Sequence, residues 1–166
     1  MRPESGNHRA AGEALWRFSL ALYARPGVAR ALIALQDRAG SDVNLVLLGL
    51  WLGAARGRRI DAGTMATAAA AIAPLNALVG ELRALRRRLK EAADPDLAAL
   101  RRQVAAAELA AERRVQHRLA ASADLEGKAD RLTAAEANLA LSLGGEAGSE
   151  EAAVLRGAPA SLMRRG

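Results

Sequence analysis

Residues 43–55, VNLVLLGLWLGAA, carry no charge and a single polar side chain, Asn44. A helix through this segment is apolar on nearly every side, so other elements must surround it. At about 13 residues it is shorter than the roughly 20 that span a bilayer. A buried central helix is the consequence, and the rest of the chain must supply its enclosure.

The flanking sequence can do this. From residue 13, Leu15, Phe18 and Leu22 recur on one helical face and Trp16, Leu20 and Tyr23 on another, which predicts packing on two sides. That helix stops at Arg25-Pro26, because a residue before proline disfavours the α region, and Pro26 suits the first turn of the next. There Val28, Ala31, Leu32 and Leu35 form a stripe, Gly40 ends it, and Ser41 or Asp42 caps the central helix. A basic loop, Arg56-Gly57-Arg58-Arg59, follows. A weaker alanine-rich helix is expected near residues 64–73, with Pro74 kinking it or opening a new one.

The clearest periodicity comes next. Leu75, Leu78, Leu82, Leu85 and Leu89 step by three and four residues, with Arg83, Arg86, Arg87 and Lys90 on a second stripe. Asp94-Pro95-Asp96 turns the chain. Leu97, Leu100, Val104, Ala107 and Ala111 then repeat the seam in smaller residues, which predicts an antiparallel helical hairpin. Leu125, Leu132 and Leu139 mark a last helix ending at Gly144-Gly145.

The expected fold is therefore all-α: a bundle of four to five helices plus a C-terminal helical hairpin, with disordered termini. With 42 alanines in 166 residues, helix propensity is high throughout. Residues 1–12 read as a flexible tail, 13–92 as the helical core, 93–143 as an Ala-rich helical extension and 144–166 as a disordered tail. The aromatics, Trp16, Phe18, Tyr23 and Trp51, all lie in the first third. Helices after Pro95 are thus expected to be held weakly or against a partner, a second copy being the simplest.

Chemistry is sparse. There is no cysteine, and with 2 histidines a His-rich metal cage is excluded. No phosphate-binding glycine loop or zinc motif occurs. His8 falls in the tail, and His117 sits between Gln116 and Arg118 as a solvated side chain. No catalytic residue, metal or cofactor is assigned.

Two clusters remain. Gln36, Asp37, Asp42 and Asn44 bracket the turn before the central helix, with Arg17 as a counter-charge. They are capping and pairing residues on one reading and a small-molecule or metal-dependent site on the other, although two carboxylates make a poor metal site. Arg83, Arg86, Arg87 and Lys90 are either a solvated face or an interaction face. The net charge of +6 permits acidic partners. No exposed aromatics interleave this stripe and no helix-turn-helix signature is visible, so nucleic-acid binding through Arg83, Arg87 and Lys90 ranks last. Residues 1–12 lack the apolar run of a secretory signal, and a cytoplasmic protein without a membrane span is expected.

The pieces Leu15-Trp16-x-Phe18, Leu22-Tyr23-x-x-Pro26-Gly27-Val28, Leu35-Gln36-Asp37, Asp42-Val43-Asn44-Leu45 and Leu50-Trp51-Leu52 occur together. So does Leu82-Arg83-x-Leu85-Arg86-Arg87-x-Leu89-Lys90. Over about residues 13–90 the chain resembles an uncharacterised proteobacterial family of small helical proteins of about 160 residues, a domain of unknown function. It departs from that pattern at Leu75, where an aromatic often stands, and near Glu81, where a proline does. The resemblance implies no activity, but it places Gln36, Asp37, Asp42 and Asn44 inside the shared motif. The reading that follows is a non-enzymatic protein-interaction or regulatory module, using the Leu/Arg helix 75–92 to meet a protein partner or a second copy.

Overall fold

The computed structural model describes residues 4–92, 94–122 and 127–163. Among these lie seven α-helices, one short 3-10 turn and no strand. The helices are α1 (Glu4–Tyr23), α2 (Val28–Ala39), α3 (Val43–Arg56), α4 (Ala62–Glu91), α5 (Leu97–Ser122), α6 (Arg131–Leu143) and α7 (Glu150–Met163). The all-α class is as the periodicities predict.

α3 is the centre, and its two sides feed two apolar clusters. Val46, Leu47, Leu50 and Ala54 pack with Leu32 and Leu35 of α2, Leu139 of α6 and Leu155 of α7. Leu48, Trp51 and Leu52 pack with Leu15 of α1, Ile72 of α4 and Val115 and Leu119 of α5. Each fully buried leucine stabilises the fold by roughly 1.5–3 kcal/mol. The start of α3 is set by Asp42, whose Oδ1 accepts from the Asn44 amide at 2.9 Å and the Leu45 amide at 3.4 Å. Gly40, at φ 66°, ends α2 in the left-handed conformation. Pro26 lies in the turn before Gly27, the N-cap of α2, rather than inside the helix.

α3 and α6 touch almost backbone to backbone. A Cβ on Gly53 would lie 2.2 Å from the Ala135 Cα, and one on Gly49 would lie 3.0 Å from the Ser142 Oγ. Asn138 of α6 is fully buried beside this contact. Its Nδ2 donates to the carbonyls of Gly49 at 3.0 Å and Arg58 at 2.8 Å, and its Oδ1 accepts from the Ile60 amide at 3.0 Å. One side chain thereby ties α6 to α3 and to the loop that follows it.

Several expectations require correction. Residues 4–12, read as a tail, belong to α1. Ala11 is buried, and a Cβ on Gly12 would meet the His117 ring of α5 at 2.6 Å. The close approach selects small residues, which hydrophobic periodicity does not register. Residues 144–163, read as disordered from composition, form the 3-10 turn and α7. Ala152, Leu155 and Ala158 are buried in the cluster that α2 shares. Ser149 Oγ accepts from the Ala152 amide at 3.2 Å, and Arg38 of α2 bridges to Glu146 at 2.7 Å and Glu151 at 3.0 Å.

The helices after Pro95 are integral to the core: Val115, Leu119 and Leu139 are buried without an aromatic neighbour on their own helices. α4 is a single helix that runs through Pro74. The hairpin is α4–α5, in the middle of the chain, with α6 and α7 following it. Its seam on α5 is Val104, Glu108, Ala111, Val115 and Leu119, whereas Leu100 and Ala107 are exposed. Leu132 is exposed as well, and Leu125 lies outside the described residues.

By length and composition, α4 is the one helix among the described residues apolar enough to cross a membrane. Its hydropathy comes mainly from alanine, interrupted by Thr67, Pro74 and Asn76.

Candidate functional site

The second apolar face of α1 packs only partly against other helices. Trp16, Leu20 and Tyr23 wall a cleft of about 610 Å³ between α1, α4 and α5, closed at one end by the α2–α3 turn. Each element delivers polar groups to it. The end of α2 and start of α3 bring Gln36, Ser41, Asp42 and Asn44; α4 brings Asn76 and Arg83; α5 brings Glu112 and Gln116; α1 brings Ser19 and Tyr23.

Five of them, Asn76, Asp42, Asn44, Gln116 and Ser19, form a hydrogen-bonded chain from α4 through the start of α3 to α5 and α1. Asn76 Nδ2 donates to Asp42 Oδ2 at 2.6 Å, so the capping carboxylate also ties α4 to the start of α3. Gln116 Nε2 donates to Asn44 Oδ1 at 3.4 Å. The single Ser19 hydroxyl proton faces two acceptors, Gln116 Oε1 at 3.0 Å and the Leu15 carbonyl at 2.9 Å. Ser19 and Gln116 are buried, and these bonds satisfy polar atoms that would otherwise be costly to desolvate. The Asn44 Nδ2 donors and the Gln36 amide carry no partner among the described residues.

An ion-pair network forms one wall. Arg83 donates from Nε to Glu108 Oε1 at 3.0 Å and from Nη2 to Glu112 Oε1 at 2.8 Å. Arg86 donates to both oxygens of Glu108 through Nε and Nη2. Burial works to raise the Glu108 carboxyl, but hydrogen bonds and charge from Arg86 and Arg83 outweigh it and hold Glu108 below the ordinary range. At Glu112 the balance reverses: burial raises the carboxyl, the Glu108 charge adds to this, and Arg83 offsets only part. Burial, with the Glu112 charge, also raises the Tyr23 phenol.

Of the residues chosen from sequence, Gln36, Asp42 and Asn44 come together in the cleft. Asp37 and Arg17 do not line it. Both are exposed, Arg17 Nε donating to the Glu13 carbonyl at 3.4 Å. Arg38, next to Asp37 in sequence, bridges Glu146 and Glu151. The basic stripe divides: Arg83 and Arg86 turn into the hairpin, while Arg87 and Lys90 stay exposed. Among the described residues no three acidic or histidine side chains gather to hold a metal ion.

Sequence reasoning missed Ser19, Asn76, Glu112 and Gln116. A signal existed for two of them. Ser19 is the one polar side chain in residues 18–22, and Asn76 the one polar side chain in residues 72–80. A lone polar residue on an apolar face needs a partner across a helix contact. Glu112 and Gln116 sit among charged neighbours and carried no such mark.

No curated protein and no solved structure matches the chain. Residues 14–119, which include every residue lining the cleft, match the family described as "Protein of unknown function (DUF2390)", and the chain belongs to that family.

Proposed function

We propose that this protein is a binding module for a small polar molecule held in the cleft between α1, α4 and α5. One observation carries the reading: residues distant in sequence, Gln36, Asn44, Asn76 and Glu112, meet in one cavity of about 610 Å³. That size falls within the roughly 300–1,000 Å³ usual for small-molecule sites, and apolar walls with a few convergent polar groups are their usual make-up. The arrangement offers carboxamide donors and acceptors and one carboxylate with a raised pKa, which suits recognition of a neutral or weakly basic polar head.

The test is a thermal-shift screen of a metabolite library against the full chain, repeated with Gln36→Ala and Glu112→Gln. Ligands that stabilise the wild type and lose that effect in both variants support the cleft. Stabilisation indifferent to both variants removes it from consideration.

A second reading, contact with a protein partner or a second copy through α4, rests on a separate observation. Residues 62–80 of α4 carry no charge, yet Leu78 is 45% exposed, with Arg87 and Lys90 exposed further along. Sedimentation of the wild type and Leu78→Arg tests it: an assembly that dissociates in the variant supports the reading, and a concentration-independent monomer removes the second copy.

A further inference from the structure

A second and more open depression, of about 1,250 Å³, runs along α1 and α5. α5 lines it with residues three and four positions apart from Ala106 to Ala121, and α1 with Arg9, Glu13, Trp16 and Leu20. Each set is one helical face. At 1.5 Å per residue the α5 face is about 22 Å long. Its character changes along this length. Ala106, Leu109 and Ala110 come first, and Arg113, Arg114 and Arg118 follow. Glu13 meets Arg113, which sets the earlier part of α1 beside the basic half. Trp16 and Leu20 wall the cleft together with Leu109, which sets them beside the apolar half. Leu20 is 50% exposed and Leu109 53%, with Trp16 half-buried. Exposed apolar side chains gathered in one groove mark a contact surface.

The charge in the groove is one-sided. Four arginines stand against the single carboxylate of Glu13, which Arg113 already engages. Arg9, Arg114 and Arg118 have no ion-pair partner among the described residues. A third helix is what fits a valley between two packed helices, its side chains seated between theirs. The leucines call for aliphatic partners and the unpaired arginines for carboxylates. A second copy does not supply them: in a two-fold contact the groove meets itself and brings the arginines only Glu13. Single-stranded nucleic acid uses successive aromatic platforms, whereas this lining holds one, Trp16, among leucines and alanines. We infer that the groove binds an acidic amphipathic helix of a partner protein, about four turns long. Its aliphatic side chains sit on Trp16, Leu20 and Leu109 and its carboxylates on Arg114 and Arg118. This goes beyond the small-molecule reading, since Arg9, Arg114 and Arg118 do not line the cleft.

The full chain is used to select from a displayed library of tryptophan-free helical peptides about 16 residues long. The expected result is enrichment of net-acidic sequences with Leu, Ile or Met at spacings of three and four. One such peptide is then labelled and titrated by fluorescence polarisation. Its affinity falls about tenfold or more in Arg114→Glu/Arg118→Glu, and its salt dependence flattens, because like charges now meet across the contact. Ala106→Gln/Ala110→Gln, which adds bulk to the groove without charge, weakens it too. Arg101→Glu/Arg102→Glu, the same charge change on α5 outside the groove, leaves it unchanged. Trp51 is buried, so a shift in tryptophan emission on binding reports on Trp16. The substituted side chains are exposed, so the variants are expected to fold, which circular dichroism checks.

No enrichment over the unselected library overturns the inference, as does enrichment of sequences without acidic residues. So does binding that Arg101→Glu/Arg102→Glu weakens as much as Arg114→Glu/Arg118→Glu, which would be attraction to net charge alone. A labelled oligothymidine of about 20 nucleotides that binds the wild type and not Arg114→Glu/Arg118→Glu, with no peptide enriched, overturns it and assigns the groove to nucleic acid. Self-association in sedimentation that this variant abolishes, again with no peptide enriched, overturns it and assigns the groove to a second copy.

Discussion

Arg83 and Glu112 meet at 2.8 Å on the cleft wall, and the same guanidinium holds the buried carboxylate of Glu108 at 3.0 Å. One arginine therefore joins the packing seam of the α4–α5 hairpin to the cavity. Arg83→Ala leaves Glu112 without its cation and Glu108 with Arg86 alone. The expected loss is about 1–3 kcal/mol, below the range for a fully buried pair because the arginine is partly exposed. Arg87→Ala, on the exposed side of the same turn, is expected within about 0.5 kcal/mol of wild type. Urea midpoints of the two variants measure the difference, and equal midpoints would mean the network adds nothing to stability.

The two carboxylates of this network respond to pH with opposite signs. Glu112 is raised above its ordinary 4.5 by burial. Its protonated form is favoured in the fold, so stability present below 4.5 is lost as pH rises through the raised value. Glu108 is lowered, so its contribution is present above 4.5 and lost as pH falls through the lowered value. Glu112→Gln removes the first effect. Its stability relative to wild type should increase as pH rises above 4.5, measured by urea unfolding at several pH values. A flat difference would show that Glu112 titrates normally.

Glycine substitutions separate a close helix approach from open space. Gly53→Ala places a methyl 2.2 Å from the Ala135 Cα, so α3 and α6 must part. A loss of about 3 kcal/mol or more is expected, at the upper end for overpacking because backbone must move. Gly157→Ala in α7 meets nothing within 4 Å. There the gain in helix propensity, about 0.5–1 kcal/mol, should show as added stability.

Leu155→Ala tests the corrected C-terminal region. Leu155 is fully buried in the cluster shared with α2 and α3. Its truncation should cost about 2–5 kcal/mol, as for other buried leucines. Unchanged thermal unfolding would return residues 150–163 to the disordered tail that composition suggested.

Much of the framework was legible from residue pattern alone. Val28, Ala31, Leu32 and Leu35 are the buried face of α2, and Asp42 caps α3 as its position before an apolar run requires. Seams built from small or polar residues were not legible. Gly12, Gly53 and Ala135 mark contacts through missing bulk, and Glu108 and Gln116 occupy seam positions because their partners lie on other helices. The site was half legible for the same reason. Gln36, Asp42 and Asn44 are neighbours in sequence, but Asn76, Arg83, Glu112 and Gln116 join them only through folding.

The sequence by itself determined the helical class, the central position of residues 43–55 and the turn that carries Gln36, Asp42 and Asn44. Those properties follow from side-chain periodicity and local capping, which act over a few residues. Tertiary structure decided which arginines face inward, that both ends of the chain pack as helices, and where a polar cavity forms. Those outcomes depend on pairing groups up to about a hundred positions apart, as between Ser19 and Gln116. A buried donor needs an acceptor, and the identity of that acceptor is set by which helices pack together.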